Sequence, residues 1–361
     1  MVPRPRLPAL LRKELAWGRR NLALLVVVFV LLPTGFAAGS AAFQTVLPTD
    51  APVAVVPGSD AVTEDDLTIT EGAVAPFSEP RVVRDRSAAF RMLEHEQVYA
   101  VVTVPAGITD PDTEAVFEVS VSGSVVPYHQ ASQAVVSVMN YVLERQLPAE
   151  YDVSVTRTVV GPERSLSEYL VPTMFLGLVM LVALVYLPYN LAREADAVDR
   201  VRVEHSLWAM TCWKLAVFGT LLAVPAGLFQ LASAHFGYGV AIAAPGALFA
   251  ALCAFLALGA VGMGVVLLAR FSTLGRLLDV VLLLFLLAYS GLFYPAGFFS
   301  PLRRQFVRLV PTHYVAVAVR GFALRDAAFG EYATWLVGFV AMVAVALAFL
   351  RGSVAVYERG A

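Results

Sequence analysis

Charge is scarce in this chain. Asp, Glu, Lys and Arg make up 15% of its 361 residues, against roughly a quarter of an average soluble domain. That, together with 58% hydrophobic residues, excludes both an ordinary soluble enzyme and a disordered chain. Cysteine is nearly absent. Cys212 and Cys253 are too few for a disulfide framework or a metal cluster, and in their apolar surroundings they read as small buried hydrophobes. Lysine is limited to Lys13 and Lys214 against 24 arginines, a bias that reads as that of a GC-rich genome. Neither lysine stands in a G-x-x-x-x-G-K-[ST] context, so the chain has no Walker A grip on ATP. The five histidines are scattered without paired ligand spacing, and His95-Glu96 begins the zinc pattern H-E-x-x-H only to meet Tyr99. There is no G-x-S-x-G elbow. Catalytic residues, a metal and a bound cofactor are therefore not expected on this chain.

What the chain has in abundance is apolar length, with a mean hydropathy of +0.72. The first run, 22–43, carries no charge over 22 residues. At about 1.5 Å per residue it reaches roughly 33 Å, enough to cross a hydrocarbon core of about 30 Å. Five more stretches follow at about 169–191, 215–236, 240–269, 277–294 and 333–350. The 240–269 run is long enough to be tilted, or broken near Pro245 and Gly246. The fold class this implies is an α-helical polytopic membrane protein with six transmembrane helices and one inserted extracytoplasmic α/β domain.

Ahead of the first span, residues 1–21 hold Arg4, Arg6, Arg12, Lys13, Arg19 and Arg20 against Glu14 alone. Leu7, Leu10, Leu11, Leu15 and Trp17 share roughly one helical face, which predicts a basic amphipathic helix on the inner leaflet. The positive-inside tendency then puts the N-terminus in the cytoplasm of a multi-pass protein. Residues 1–42 also have the layout of a signal peptide, but the charge-free stretch continuing to Phe43 favours a retained span.

Residues 44–168 differ sharply, with 7 basic and 19 acidic residues, a balance of −12. Nucleic acid would be repelled, and the acidity suits a salt-loving prokaryote. Val-rich segments 52–56, 97–104, 115–121 and 153–160 predict strands, and 87–96 and 129–147 predict helices. In the second helix Ala131, Ala134, Val135, Val138, Val142 and Leu143 are expected to form one buried face. The length is sufficient for an independent domain.

Inside the spans charge is nearly missing. Asp279 is the exception, and Arg276 three residues earlier is placed to pair with it at the membrane boundary; a gating charge is the sharper reading. Gly259, Gly262 and Gly264 predict close helix packing. The cytoplasmic segment 192–214 balances Arg193, Arg200, Arg202 and Lys214 against Glu194, Asp196, Asp199 and Glu204, with Trp208, Met210 and Trp213 among them. Alternating charge with aromatic anchors suits a protein partner, and equally a solvated loop with interfacial tryptophans. One segment sits badly with the topology: 295–332 falls outside, yet carries Arg303, Arg304, Arg308, Arg320 and Arg325.

Ser290-Gly291-Leu292-Phe293-Tyr294-Pro295, then Pro311-Thr312-His313-Tyr314 and Arg320-Gly321, resemble the permeases of ABC-2 type transporters, with their S-G-x-x-[FY]-P and P-x-x-Y stretches and an Arg six residues on. Arg12-Lys13-Glu14-Leu15 resembles the family's amphipathic entry helix. Val98 to Pro105 is similar to the outer-domain strand of members with a large insertion after the first span. Residues 193–214 occupy the place of the cytoplasmic coupling segment, though the family's Gly and Ser-Pro are missing there.

The resemblance implies a membrane subunit of an exporter in a prokaryotic cell membrane, paired with a second permease subunit, identical or related. A separate ABC ATPase would bind ATP and Mg and contact Arg12, Glu14, Arg193, Glu194, Asp196, Asp199 and Lys214. It also implies that 295–332 re-enters the membrane as short helices, broken at Gly291, Pro295 and Pro311 and carrying Tyr314 and Arg320. Arg303, Arg304 and Arg308 would then reach membrane lipid headgroups, or contact an anionic, lipid-like substrate. The alternative function is a membrane-anchored surface protein that binds a ligand through its acidic outer domain.

Overall fold

The structure is a computed structural model that describes residues 19–20, 22–26, 51–108, 115–146, 153–195 and 206–359. Arg12, Glu14, Asp196, Asp199 and most of the 22–43 span lie outside the described residues. Of that span a short helix, Leu22–Val26 (α1), is described.

Residues 51–160 build a five-stranded sheet. Its elements are β1 Ala51–Pro57, α2 Glu64–Val74, β2 Ser78–Val82, α3 Arg86–Glu94, β3 Ala100–Val104, β4 Ala115–Ser122, α4 His129–Gln146 and β5 Val153–Val160. The strand order is β2-β1-β3-β4-β5, parallel except between β3 and β4. Alternate residues of β1 feed two cores: Val53 and Val55 pack with α2 and α4, while Ala54 and Val56 pack with α3. A strand covered on both faces by crossover helices reads as an unbroken apolar run, as β1 does.

Two elements here carry no apolar signature. α2 is set by a capping box in which Thr63 and Asp66 exchange bonds, with Glu64, Asp65 and Asp66 at its positive end. β2 contains Glu79, Pro80 and Arg81, tolerated because it is an edge strand. The expected face of α4 is rotated: Val135, Met139 and Leu143 are buried, whereas Val138 is exposed along with Ala134. Met139 at one-turn spacing, not Val138, continues the stripe.

The helical part comprises α5 Leu166–Arg193, α6 Leu207–His235, α7 Pro245–Leu268, α8 Thr273–Tyr289, α9 Pro301–Leu309, α10 Pro311–Arg325 and α11 Ala333–Arg359, the last extended by a 3₁₀ turn from Phe329. Among the described residues four helices are long and apolar enough to cross a membrane: α5, α6, α7 and α11 with its leading turn. The fifth expected span is present as α8, but its 17 residues sit at the lower limit for a spanning helix. Six spans are therefore more than the described residues establish. α5 widens into a π turn at Val182–Tyr186, just before Pro188, whose ring would meet the Leu184 carbonyl in a regular helix.

α7 is the central helix, starting cleanly at Pro245, which stands in its first turn. The preceding residues are not helical, and Ala241 N–H donates to the Ala323 carbonyl of α10. The glycines of α7 allow close approach as expected: a Cβ at Gly262 would lie 2.8 Å from Pro188 Cγ, and one at Gly264 2.6 Å from the Phe349 ring.

Candidate functional site

After α8 the chain turns at Gly291, whose φ of +67° is open to glycine at little cost. Pro295 leads into a 3₁₀ turn, Ala296–Phe298, and Pro301 and Pro311 open α9 and α10 at positions where a missing N–H costs nothing. α10 is buried on nearly all sides between α7, α5 and the sheet unit. The short broken helices expected of 295–332 are present, and Tyr314 secures them by donating to the Arg308 carbonyl at 2.8 Å.

Four of the five arginines of this passage have internal partners. Arg320, fully buried, donates from Nε to Glu96 Oε1 at 2.9 Å and from Nη2 to Oε2 at 2.6 Å. Its Nη1 points at the carbonyls of Gly291 and Leu292, 3.2 and 3.3 Å away. Arg304 pairs with Glu79 of β2 at 3.0 Å. Arg325 donates to the Glu94 carbonyl at 2.9 Å and to Tyr332 Oη at 2.6 Å. Arg303 is stacked on Tyr289 and Phe299. Arg304 thus has an internal partner in Glu79, because the acidic sheet unit sits directly on α9 and α10.

Further bonds close this seam. Tyr99 Oη accepts from Gly297 N–H at 2.9 Å, and a Cβ at Gly297 would overlap the Tyr99 ring. His95 Nε2 donates to the Glu331 carbonyl at 3.1 Å, with its ring between Tyr332 and Trp335. Arg164 donates twice to the Leu324 carbonyl, at 2.9 and 2.8 Å, satisfying a carbonyl in the last turn of α10. Burial raises the Tyr99 phenol above its ordinary range, with the Glu96 carboxylate adding to it, so Tyr99 stays neutral. Burial likewise lowers His95 below its ordinary value. Glu79 is pushed up by burial, but the Arg81 hydrogen bond and the charges of Arg81, Arg304 and Arg308 outweigh this and hold it low. Between the sheet unit and the broken helices lies a cavity of about 280 Å³.

At the far end of the helices, Lys214 Nζ donates to Glu194 Oε1 at 2.7 Å and to Asn190 Oδ1 at 2.6 Å, tying the end of α5 to α6. Arg193 is exposed and leans over Tyr189. Trp213, 72% exposed, faces away from the helix bundle, and Trp208 is covered by Arg351. Of the seven residues expected to meet an ATPase, the structure thus pairs Glu194 with Lys214, while Arg193 lies over Tyr189 instead.

Asp279 behaves differently from expectation. It is buried, and neither carboxyl oxygen has a hydrogen-bond partner among the described residues. Arg276 turns instead to Thr273 Oγ1 at 3.2 Å, so the expected boundary pair does not form.

Glu79 stands in no motif, and Glu96 and Tyr99 appear only in the incomplete H-E-x-x-H pattern and the Val98–Pro105 strand, neither of which points to their role as seam partners. A signal for them existed in the charge counts: an acidic unit of −12 and five arginines in 295–332 stand on the same side of the expected topology.

The long apolar helices and the broken passage after α8 are those of a polytopic membrane protein. The chain belongs to the ABC-2 family of transporter proteins, whose family model matches residues 22–351. No curated protein and no solved structure matches it. It is thus the membrane permease of an ABC transporter, a family that works with an ABC ATPase subunit.

Proposed function

We propose that this permease exports an amphipathic or lipid-like substrate, driven by two separate ATPase subunits that bind ATP and Mg²⁺ below the membrane. Six spans, the first over residues 22–43, place the N-terminus in the cytoplasm and the sheet unit outside. Two permease subunits, identical or paired with a related chain, form the path between them. The ATPases dock on residues 7–20 and on 192–214, which include Arg12, Glu14, Arg193, Glu194, Asp196, Asp199 and Lys214.

The observation that supports this reading most is the seam. Glu96 and Arg320 join the sheet unit to α10, and α10 is packed against the central helix α7. A movement of the helices is therefore carried into the sheet unit rather than absorbed by a loose tether. ATPase closure would bind one arrangement of α5 and α6 better than the other, and only such differential binding can shift the equilibrium. A substrate that is largely apolar needs few charged ligands within the spans, in keeping with their composition.

The test is affinity purification of the tagged full chain in mild detergent, with its genomic neighbours co-expressed, and an assay of ATPase activity on the eluate. Vanadate-sensitive turnover should copurify and be lost when Glu194→Arg is combined with Asp199→Arg, while the permease itself remains folded. An eluate without ATPase, or copurification indifferent to the double reversal, would count against the proposed dock.

A further inference from the structure

The seam cavity carries more positive charge than its neighbouring carboxylates balance. Arg81, Arg304, Arg308 and Glu96 line it. Glu96 is engaged by Arg320 at 2.6 Å, and Glu79 is shared between Arg81 at 2.7 Å and Arg304 at 3.0 Å. Four guanidinium groups thus stand against two carboxylates, an excess of two positive charges.

Arg304 is 3% exposed, yet its Nε and Nη2 have no hydrogen-bond partner among the described residues. Arg308 adds its charge one turn further along α9 and is only partly buried. Charged donors held out of water without acceptors are costly, and an oxyanion within their reach removes that cost. The guanidinium fork is shaped for the paired oxygens of phosphate or carboxylate. The remaining wall includes Tyr314 and Trp335, an apolar edge beside the cationic one. At about 280 Å³ the cavity takes a headgroup, not an entire lipid.

We propose that this cavity binds the phosphate-type anionic head of an amphipathic molecule, held by Arg304 and Arg308 with Arg81 beside them. That the molecule is cargo rests on the export reading above; the anion site itself does not. Placed where the sheet unit meets the broken helices, a bound head would lie against α9 and α10 while its apolar part extends past Trp335.

The test uses the full chain in neutral detergent with Trp335 as its single tryptophan, Trp17, Trp208 and Trp213 each being changed to Phe. Its fluorescence is followed during titration with dihexanoyl phosphatidylglycerol, with zwitterionic dihexanoyl phosphatidylcholine, and with inorganic phosphate. The anionic lipid should give a saturable change, weakened about tenfold by Arg308→Gln and partly retained in Arg308→Lys. Arg308 is the deciding position because Arg304 also holds Glu79, and its loss disturbs the seam itself. Competition by inorganic phosphate would show that the head alone suffices; binding of the lipid without such competition would show that the acyl part is also required. Both support an anion site. Equal response to the zwitterionic lipid, or unchanged affinity in Arg308→Gln, would overturn it. Since no ATPase is present in the titration, a negative result leaves the permease reading standing. Saturable binding without any copurifying ATPase would keep the site and remove its link to export.

Discussion

Glu96 reaches its partner Arg320, 224 residues away, from a backbone conformation that a glutamate seldom adopts. Its φ is +53°, at the position after the end of α3 where the chain closes with Glu96 N–H on the Leu93 carbonyl and Gln97 N–H on the Met92 carbonyl. Helices that end this way usually place glycine there, and a residue with a Cβ pays roughly 1–2 kcal/mol. The two-pronged bond to Arg320 accounts for a glutamate in a glycine's place. Local strain at one helix end is retained because it aims a carboxylate at a buried guanidinium.

Removing one member of this pair should therefore hurt more than removing both. Glu96→Gln leaves Arg320 buried with its charge uncompensated and should cost about 3–5 kcal/mol, read as an earlier melt of the detergent-solubilised protein. Glu96→Gly relieves the backbone but strands the same charge, so it should also destabilise. The double change Glu96→Gln with Arg320→Met should recover much of the loss. A double variant no better than Glu96→Gln alone would mean that the two residues do not act as a pair.

Tyr99 and Gly297 separate hydrogen bonding from fit in the same seam. Tyr99→Phe loses one buried hydrogen bond, worth about 1 kcal/mol, and leaves the ring in place. Gly297→Val drives a branched side chain into that ring and should open the seam, exposing residues 296–310 to protease. Thermal melting and limited proteolysis of the two variants should diverge in that order; equal sensitivity would show that the ring is not held against Gly297.

How much of this was legible in the sequence depended on whether a signal was local. Apolar runs marked α5, α6, α7 and α11, and the prolines and glycine around 291–311 marked the broken helices, because each feature lies within a few residues of what it determines. β2 was not legible, since an edge strand needs no apolar face and Pro80 argues against a strand. The stripe of α4 was misjudged by one position because Met139 and Val138 both fit an apolar repeat, and only the sheet beneath decides between them. The Glu96–Arg320 and Glu79–Arg304 pairs join segments more than 200 residues apart, and no local rule names such partners.

Acid should loosen the seam. His95 is half-buried between Tyr332 and Trp335, near Arg325, Glu94 and Glu331, and this partial burial lowers its pKa, so protonation is harder in the folded protein than in the unfolded chain. Its contribution is complete above the ordinary histidine value and is lost as pH falls through its lowered folded value. Glu79, held low by its arginines, contributes above the ordinary carboxylate range and loses that contribution as pH falls further. The melting temperature should therefore decline below about pH 6.5, with the upper part of the decline reduced in His95→Phe. A flat profile in the parent protein would rule this out.

At the opposite end, folding and partner binding should separate. Glu194 is 41% exposed in its pair with Lys214, so Glu194→Gln should cost no more than about 1 kcal/mol. If Glu194 also meets an ATPase, the same change should reduce copurified ATPase well beyond what so small a loss of stability explains. Parallel decline of both would place Glu194 in the fold alone.

Asp279 gives the opposite expectation from the seam charges. It lies buried in α8 with no partner for either oxygen among the described residues, and leaving a buried polar group unsatisfied costs about 1–3 kcal/mol. Asp279→Leu should therefore raise the melting temperature. Such a residue persists in a chain only when something other than stability retains it, so the same variant should transport less than the parent protein. Asp279→Asn, which keeps the shape and removes the charge, distinguishes the causes. If Asn preserves transport, the polar group suffices; if it fails as Leu does, ionisation of the carboxyl is required. A fall in melting temperature for Asp279→Leu would instead reveal a partner for the carboxylate outside the described residues.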